Sequence, residues 1–451
     1  MRLERWWNAL MVVMVIGSIF TGTALAQSDL NYTLPTPNEI KTILDRVKDH
    51  LELVTPYRFH DRATDTVVRD FSAPQDVYAA RLPGRHGIWS YEMGVTYGGM
   101  ILYFQVTGDS SYIDYAEKTY KFIFDHLEYI RAVNEKFGYQ GDRFARVIQP
   151  SHLDHCGSMG AAMIKLHSIR PDKRYRQIID LVADYISNKQ VRLKDGTLAR
   201  PGDGPWEFTL WTDDLYMSVP FLAQMGKLTG NNEYYDDAVK QILNFAKYLF
   251  DDQKRLFDHA WFSHAKYDPK FFWGRQNGWA LMAMAELLSV LPENHSGREQ
   301  MLDIYRRNVC ALTELQSANG LWHQLLDKES SHLETSCTAM FAFAIARGVN
   351  RGWIEAIYAP VAQAAWRAVE KQVTEDGQIA GVCRGTSVGY NTVYYANRPQ
   401  LLHAYHGYGP VLLAGAELIE LSRNFEARGK GDLFHYFPKT AETQGDKRST
   451  N

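Results

Sequence analysis

Three short clusters hold the residue types that acid–base chemistry on a sugar would need. They are Ser151-His152-Leu153-Asp154-His155-Cys156-Gly157, Trp211-Thr212-Asp213-Asp214-Leu215-Tyr216-Met217 and Trp273-Gly274-Arg275-Gln276-Asn277-Gly278-Trp279. Asp154 and Asp213 are the carboxylates to pair. Close together in a partly dry cleft, two such groups do not both ionise easily, so one is expected to stay protonated and act as a general acid. An Asp before a helix is also a favoured N-cap, and Asp213-Asp214 offers one residue for each task. Trp273, Arg275 and Trp279 fit an anionic sugar, with a guanidinium fork for a carboxylate and indoles for a pyranose face. The same spacing also fits a core Trp pair with a surface Arg. His259 and His264 are further cleft candidates. His152, Asp154 and His155 together raise a metal reading, but no HExxH-like or carboxylate-rich spacing supports it, so no metal or other cofactor is expected. No GxSxG elbow, P-loop or strand-borne GxGxxG is present.

These clusters need a scaffold, and the hydropathy pattern supplies one. A unit recurs about every 60 residues: a small-residue-rich apolar helix, a short turn, then an amphipathic helix. Copies run over 91–127, 156–186, 216–250, 278–312 and 335–369, with a last apolar helix at 409–421 and an opening amphipathic helix from Pro37 to Leu53. Thr107-Gly108-Asp109 reads as the turn of the first copy. About six apolar helices alternate with about six amphipathic ones. Two concentric rings, apolar set inside, satisfy this pattern, so the expected fold is an all-α (α/α)6 barrel. An open solenoid of helix pairs is the rival. Long aromatic-rich linkers at 56–90, 138–155, 195–213 and 251–277 favour closure, because a ring would gather them at one end as the walls of a pocket.

Composition narrows the functional classes. A net charge of -3 leaves no basic excess for nucleic acid binding. With 45% hydrophobic and 22% charged residues, the chain is neither disordered nor a disulfide scaffold. Cys156, Cys310, Cys337 and Cys383 are dispersed and are expected as buried free thiols. Arg2 and Arg5, the apolar run Ala9–Phe20 and Ala24-Leu25-Ala26 read as a signal peptide cleaved after Ala26, although an uncleaved anchor has a similar pattern. The expectation is a periplasmic or secreted protein without stable membrane insertion. The barrel is expected over 27–427, and 428–451 as a polar, mobile tail.

The clusters, in this order and on this repeat, resemble glycoside hydrolase family 105, the unsaturated rhamnogalacturonyl hydrolases, and are similar also to the unsaturated glucuronyl hydrolases of family 88. The resemblance runs over roughly residues 37–422. Trp211 to Met217 with Pro220-Phe221-Leu222, and Trp273 to Trp279, carry most of it. Asp258-His259-Ala260-Trp261, Glu334-Thr335-Ser336, Gly381 to Thr386 and Gly407-Tyr408-Gly409-Pro410 add to it. It implies an (α/α)6 barrel that releases a Δ4,5-unsaturated uronic acid from the non-reducing end of lyase-made oligosaccharides, with an anionic oligosaccharide as its only implied partner. It implies Asp213 as proton donor and Asp154 as second carboxylate. Trp273, Arg275, Trp279, His259, Trp211, Arg384 and Thr386 fall at substrate-contact positions. Gln276 departs from the Gly expected there, which would reshape the subsite beyond the uronate. The rivals are an inverting glycosidase using Asp154 and Asp213 on saturated sugars, and a helical sugar-binding or scaffold protein.

Overall fold

The computed structural model describes residues 34–55, 57–79, 88–138, 145–202, 205–430 and 433–439. Twelve helices carry the architecture: α1 (Pro37–Val54), α2 (Tyr91–Thr107), α3 (Ser110–Asp125), α4 (Gly157–Ile169), α5 (Lys173–Asp184), α6 (Val219–Thr229), α7 (Asn232–Leu249), α8 (Gly274–Leu288), α9 (Arg298–Glu314), α10 (Thr335–Asn350), α11 (Ala359–Glu370) and α12 (Tyr408–Asn424). The even-numbered helices are the apolar ones of the repeat. In α8 every residue is buried, which a helix achieves only when it is surrounded on all sides. The odd-numbered helices bury one stripe, such as Ile40, Leu44, Val47 and Leu51 in α1, and turn their charges to water.

The turns that reverse the chain are written locally. Gly108 ends α2 in the left-handed region at φ 80°, and the side chain of Asp109 then accepts the Ser111 N–H to start α3. Gly230 and Asn231 repeat the device between α6 and α7. Thr36 and Glu39 form a reciprocal capping box on α1.

The inner helices pack in the order α2, α4, α6, α8, α10 and α12, and α12 packs again on α2. This closes the ring and excludes the open solenoid. Closure needs close backbone approach: a Cβ on Gly409 of α12 would stand 2.7 Å from the Val95 carbonyl carbon of α2. The (α/α)6 expectation therefore holds. At the C-terminal ends of the inner helices, Lys165 and Arg347 both pair with Glu286, and Arg347 also meets Glu417 at 2.7 Å. Asn350 donates to the other oxygen of Glu417, so these buried charges satisfy one another.

Two features depart from the sequence reading. Short strands join the helices, among them an antiparallel three-stranded sheet of Arg200–Pro201, Phe208–Trp211 and Ala260–Phe262. The expected mobile tail is also partly structured, because Phe425–Lys430 pairs with Leu433–Pro438 as a hairpin. Tyr436 anchors that hairpin: it is buried, and its hydroxyl reaches Gln363 Oε1 at 3.3 Å. Residues 1–26, expected as a signal peptide, and residues 440–451 lie outside the described residues. Among the described residues no helix is long and apolar enough to cross a membrane. The four cysteines are free, with Cys310 half-buried and the others buried.

Candidate active site

The three clusters all lie where the chain enters an inner helix, at the same end of the barrel. Asp154 sits in a 3-10 turn (Leu153–His155) ahead of α4, and Asp213 in another (Thr212–Leu215) ahead of α6. A 3-10 turn rather than an α-helical start keeps these carboxylates clear of the helix N–H groups. Neither is a side-chain N-cap of its turn.

Asp154 is bridged to Asp214 rather than to Asp213, the partner expected for it. Arg200, from the small sheet, lies between Asp154 and Asp214. It donates to both oxygens of Asp154, at 3.1 and 3.2 Å, and to both oxygens of Asp214, with the closest contact at 2.6 Å. Its guanidinium stacks 4.3 Å above the Trp211 ring. Asp214 is 1% exposed, and burial pushes its carboxyl up to about 6 against the pull of Arg200. Asp214 is thus the structural member of the Asp213-Asp214 pair.

Asp213 points elsewhere. Its side chain keeps 16% exposure, and its Oδ2 stands 3.3 Å from His259 Nε2. Both of those atoms are shut off from solvent, and neither has an aligned hydrogen-bond partner. The exposed part of the carboxyl is therefore the side carrying Oδ1. Tyr91, whose hydroxyl meets His406 Nε2 at 2.6 Å, lies within the field of both Asp154 and Asp213; burial raises its pKa.

The other predicted site residues divide by exposure. Trp211 is half-buried, with its ring under the Arg200 guanidinium. Trp273, Arg275, Trp279 and His259 are at most 2% exposed, so they back the site. The cause is a helix start four residues earlier than the pattern indicated: α8 begins at Gly274, which places Arg275 in its first turn. The Arg275 guanidinium packs 4.6 Å over the Trp273 ring and donates to the carbonyls of Cys383 and Arg384, at 2.7 and 2.8 Å. Ser336 Oγ and Glu334 complete its surroundings. Arg275 thus ties α8 and α10 to the 383–386 segment. In that segment Thr386 donates to the Arg384 carbonyl, while the Arg384 side chain is exposed. Trp279 is deeper, against Tyr216 and Tyr91. Gln276 is fully buried and donates to the Phe257 carbonyl at 2.6 Å, so its extra bulk is absorbed beneath the site. His264 is on the exterior beside Glu207.

The metal reading finds no support in the arrangement. His152 packs edge-on against His155, burial and the Arg146 charge push His155 down to about 3, and Asp154 turns to Arg200. Among the described residues no group of three His, Cys, Asp or Glu side chains is placed to hold an ion.

His259 is held from behind by Asp258. The Asp258 carboxylate accepts the backbone N–H of His259 and of Phe271, both at 2.8 Å, and burial pushes its pKa up to about 7. The ordinary value is 3.8, so between pH 4 and 7 the folded chain holds a proton that the unfolded chain has released. Stability therefore falls as pH rises across that window, by on the order of 4 kcal/mol at most. Asp258→Asn keeps an acceptor for both N–H groups without titrating, and its melting temperature is expected to vary less over pH 4–7 than that of the unaltered chain.

Sequence reasoning missed Arg200, Tyr91, His406 and Tyr395. A usable signal for Arg200 existed: a buried Asp214 requires a cation, and Arg200 lies in the linker directly before it.

The chain is 29% identical over 246 residues to the unsaturated rhamnogalacturonyl hydrolase YesR of Bacillus subtilis, covering 54% of this chain and 70% of the relative. It is 33% identical over 216 residues to an unsaturated 3S-rhamnoglycuronyl hydrolase of Alteromonas sp., covering 46% of this chain; here the match spans about half of the relative, 51%. A solved structure from Salmonella enterica, described as a possible member of the GH105 family, superposes with a TM-score of 0.68 over 88% of this chain and 97% of that one, at 24% identity; this is a likeness of fold. The model of Glycosyl Hydrolase Family 88 matches residues 61–422, a span that runs from before α2 into the last turn of α12 and includes every residue of the site, and on that match the chain is a glycoside hydrolase belonging to Glycosyl Hydrolase Family 88.

Proposed function

We propose that this glycoside hydrolase is exported and releases a Δ4,5-unsaturated uronic acid from the non-reducing end of lyase-made oligosaccharides, such as unsaturated rhamnogalacturonan or ulvan fragments, with Asp213 as general acid and base. The observation that carries the reading is the placement of Asp213: Oδ2 is closed in against His259 while the side chain keeps 16% exposure, and Arg200, which holds Asp154, lies in its field. The names of the two relatives support the substrate class.

Such a substrate is a vinyl ether, with C4=C5 conjugated to the ring oxygen. Asp213 gives its proton to C4, leaving an oxocarbenium centre at C5. The resulting carboxylate takes a proton from water as the water oxygen bonds to C5. The hemiketal so formed opens to a C5 ketone, and C1 releases the rest of the chain as an alcohol. One water is consumed and Asp213 ends protonated. Asp154, held by Arg200, lies beside the ring hydroxyls and the incoming water. The half-buried Trp211 gives the ring an apolar face to rest on. Arg275 acts through the 383–386 wall that it holds.

The experiment is a panel of lyase digests from different polysaccharides. Unsaturated oligosaccharides are expected to lose their enol absorbance while saturated counterparts stay intact. Cleavage of the saturated sugars would instead identify an inverting glycosidase, and no turnover of either a binding protein.

A further inference from the structure

Behind Asp213 runs a chain of polar contacts that ends in a backbone amide. His259 Nε2 stands 3.3 Å from Asp213 Oδ2, and on the other side of the ring Nδ1 stands 2.6 Å from the Tyr395 hydroxyl. The Gly389 N–H donates to that hydroxyl at 3.0 Å. Tyr395 and His259 are at most 1% exposed.

The Tyr395 hydroxyl has one hydrogen and two places to put it: His259 Nδ1 at 2.6 Å or the Gly389 carbonyl at 3.4 Å. Hydroxyl donors bond at about 2.5–3.0 Å, so the hydrogen goes to Nδ1. A neutral imidazole that accepts at Nδ1 carries its own proton at Nε2. That N–H lies close to Oδ2, with 3.3 Å between the heavy atoms though off the line of a hydrogen bond, so a proton on Oδ2 would stand against a like partial charge, whereas a bare Oδ2 is stabilised by it. We infer that Tyr395 fixes the tautomer of His259, and so confines the acidic proton of Asp213 to Oδ1, the oxygen on the open side of the carboxyl. Tyr395 is a positioning residue: it acts through His259.

Among the described residues no competing donor stands at Nδ1. His259 is enclosed by the rings of Trp211, Trp273 and Tyr395, and Asp258 uses its carboxylate on backbone N–H groups. Arg200, Asp214, Tyr91 and Tyr395 share the field of Asp213; Asp154 acts on the same Arg200, Asp214 and Tyr91.

The inference rests on Asp213 being the general acid, but its test does not depend on turnover. In the full chain with 15N-labelled histidine, the His259 signal is identified by its loss in His259→Gln. The expected spectrum has Nε2 protonated and Nδ1 bare, and in Tyr395→Phe a protonated Nδ1 appears. A protonated Nδ1 in the unaltered chain overturns the tautomer assignment whether or not the enzyme is active. On an unsaturated disaccharide, Tyr395→Phe is expected to lower kcat roughly tenfold with KM within about twofold. Adding Tyr395→Phe to His259→Gln should cost little more than His259→Gln alone. Independent, multiplying losses would overturn the coupling. If the unaltered chain turns over no unsaturated sugar, the functional reading fails while the spectrum still decides the tautomer.

Discussion

Asp213→Asn is expected to lower kcat on an unsaturated disaccharide by about 1,000-fold or more, with the melting temperature close to that of the unaltered chain. The magnitude follows from removing both halves of one residue's task, donation to C4 and activation of water, since a positioned acid or base contributes roughly 100- to 10,000-fold. Asparagine has nearly the same shape but no acidic proton. Its amide oxygen can face His259 Nε2 as Oδ2 does, and Asp214 remains joined to Arg200, so the fold loses no buried partner. Stopped turnover with intact circular dichroism and an unshifted melt is the expected result. Retained turnover would reject Asp213 as the acid.

Arg200→Met is expected to have the largest effect on stability, a loss of about 3–5 kcal/mol. Arg200 is the only cation within hydrogen-bond reach of Asp214 among the described residues, and Asp214 is 1% exposed. Removing the guanidinium leaves a buried carboxylate unpaired next to Asp154, in the field of Asp213. Asp214 must then take up a proton to remain buried, so the variant should be most deficient at neutral and alkaline pH and should recover as pH falls. Arg200→Lys should restore only part of the loss, because one ammonium cannot chelate Asp214 and reach Asp154 as the fork does. Denaturant titrations at pH 5 and pH 8 check both statements. Equal stability of Arg200→Met and the unaltered chain would show that the Asp154–Arg200–Asp214 bridge is dispensable.

The barrel was legible because its physics is local and periodic. Gly108-Asp109 and Gly230-Asn231 each write the end of one helix and the start of the next, and the six apolar helices announce their own burial. The positions of Asp154 and Asp213 at one rim followed from that repeat. What stayed hidden depends on contacts distant in sequence. Arg275 reads as a fork for a ligand until α8 starts at Gly274 and the Cys383 and Arg384 carbonyls, over 100 residues away, accept its hydrogens. Tyr395 lies 136 residues from His259 and stands in no motif. The sheet that carries Arg200 and Trp211 has strands of only two to four residues, too short for alternation to show. The hairpin at 425–438 was missed because it is joined to the barrel by contacts distant in sequence, such as the buried Tyr436 reaching Gln363.

Proton magnetic resonance of the reaction in deuterium oxide tests the central claim most directly. If Asp213 protonates C4 of a vinyl ether, the vinyl H4 signal must disappear no later than the glycosidic bond breaks. C4 must also gain a single deuteron on one face in the first product formed. Release of free sugar that still carries its C4=C5 double bond, with deuterium arriving at C4 only afterwards and on both faces, would contradict it.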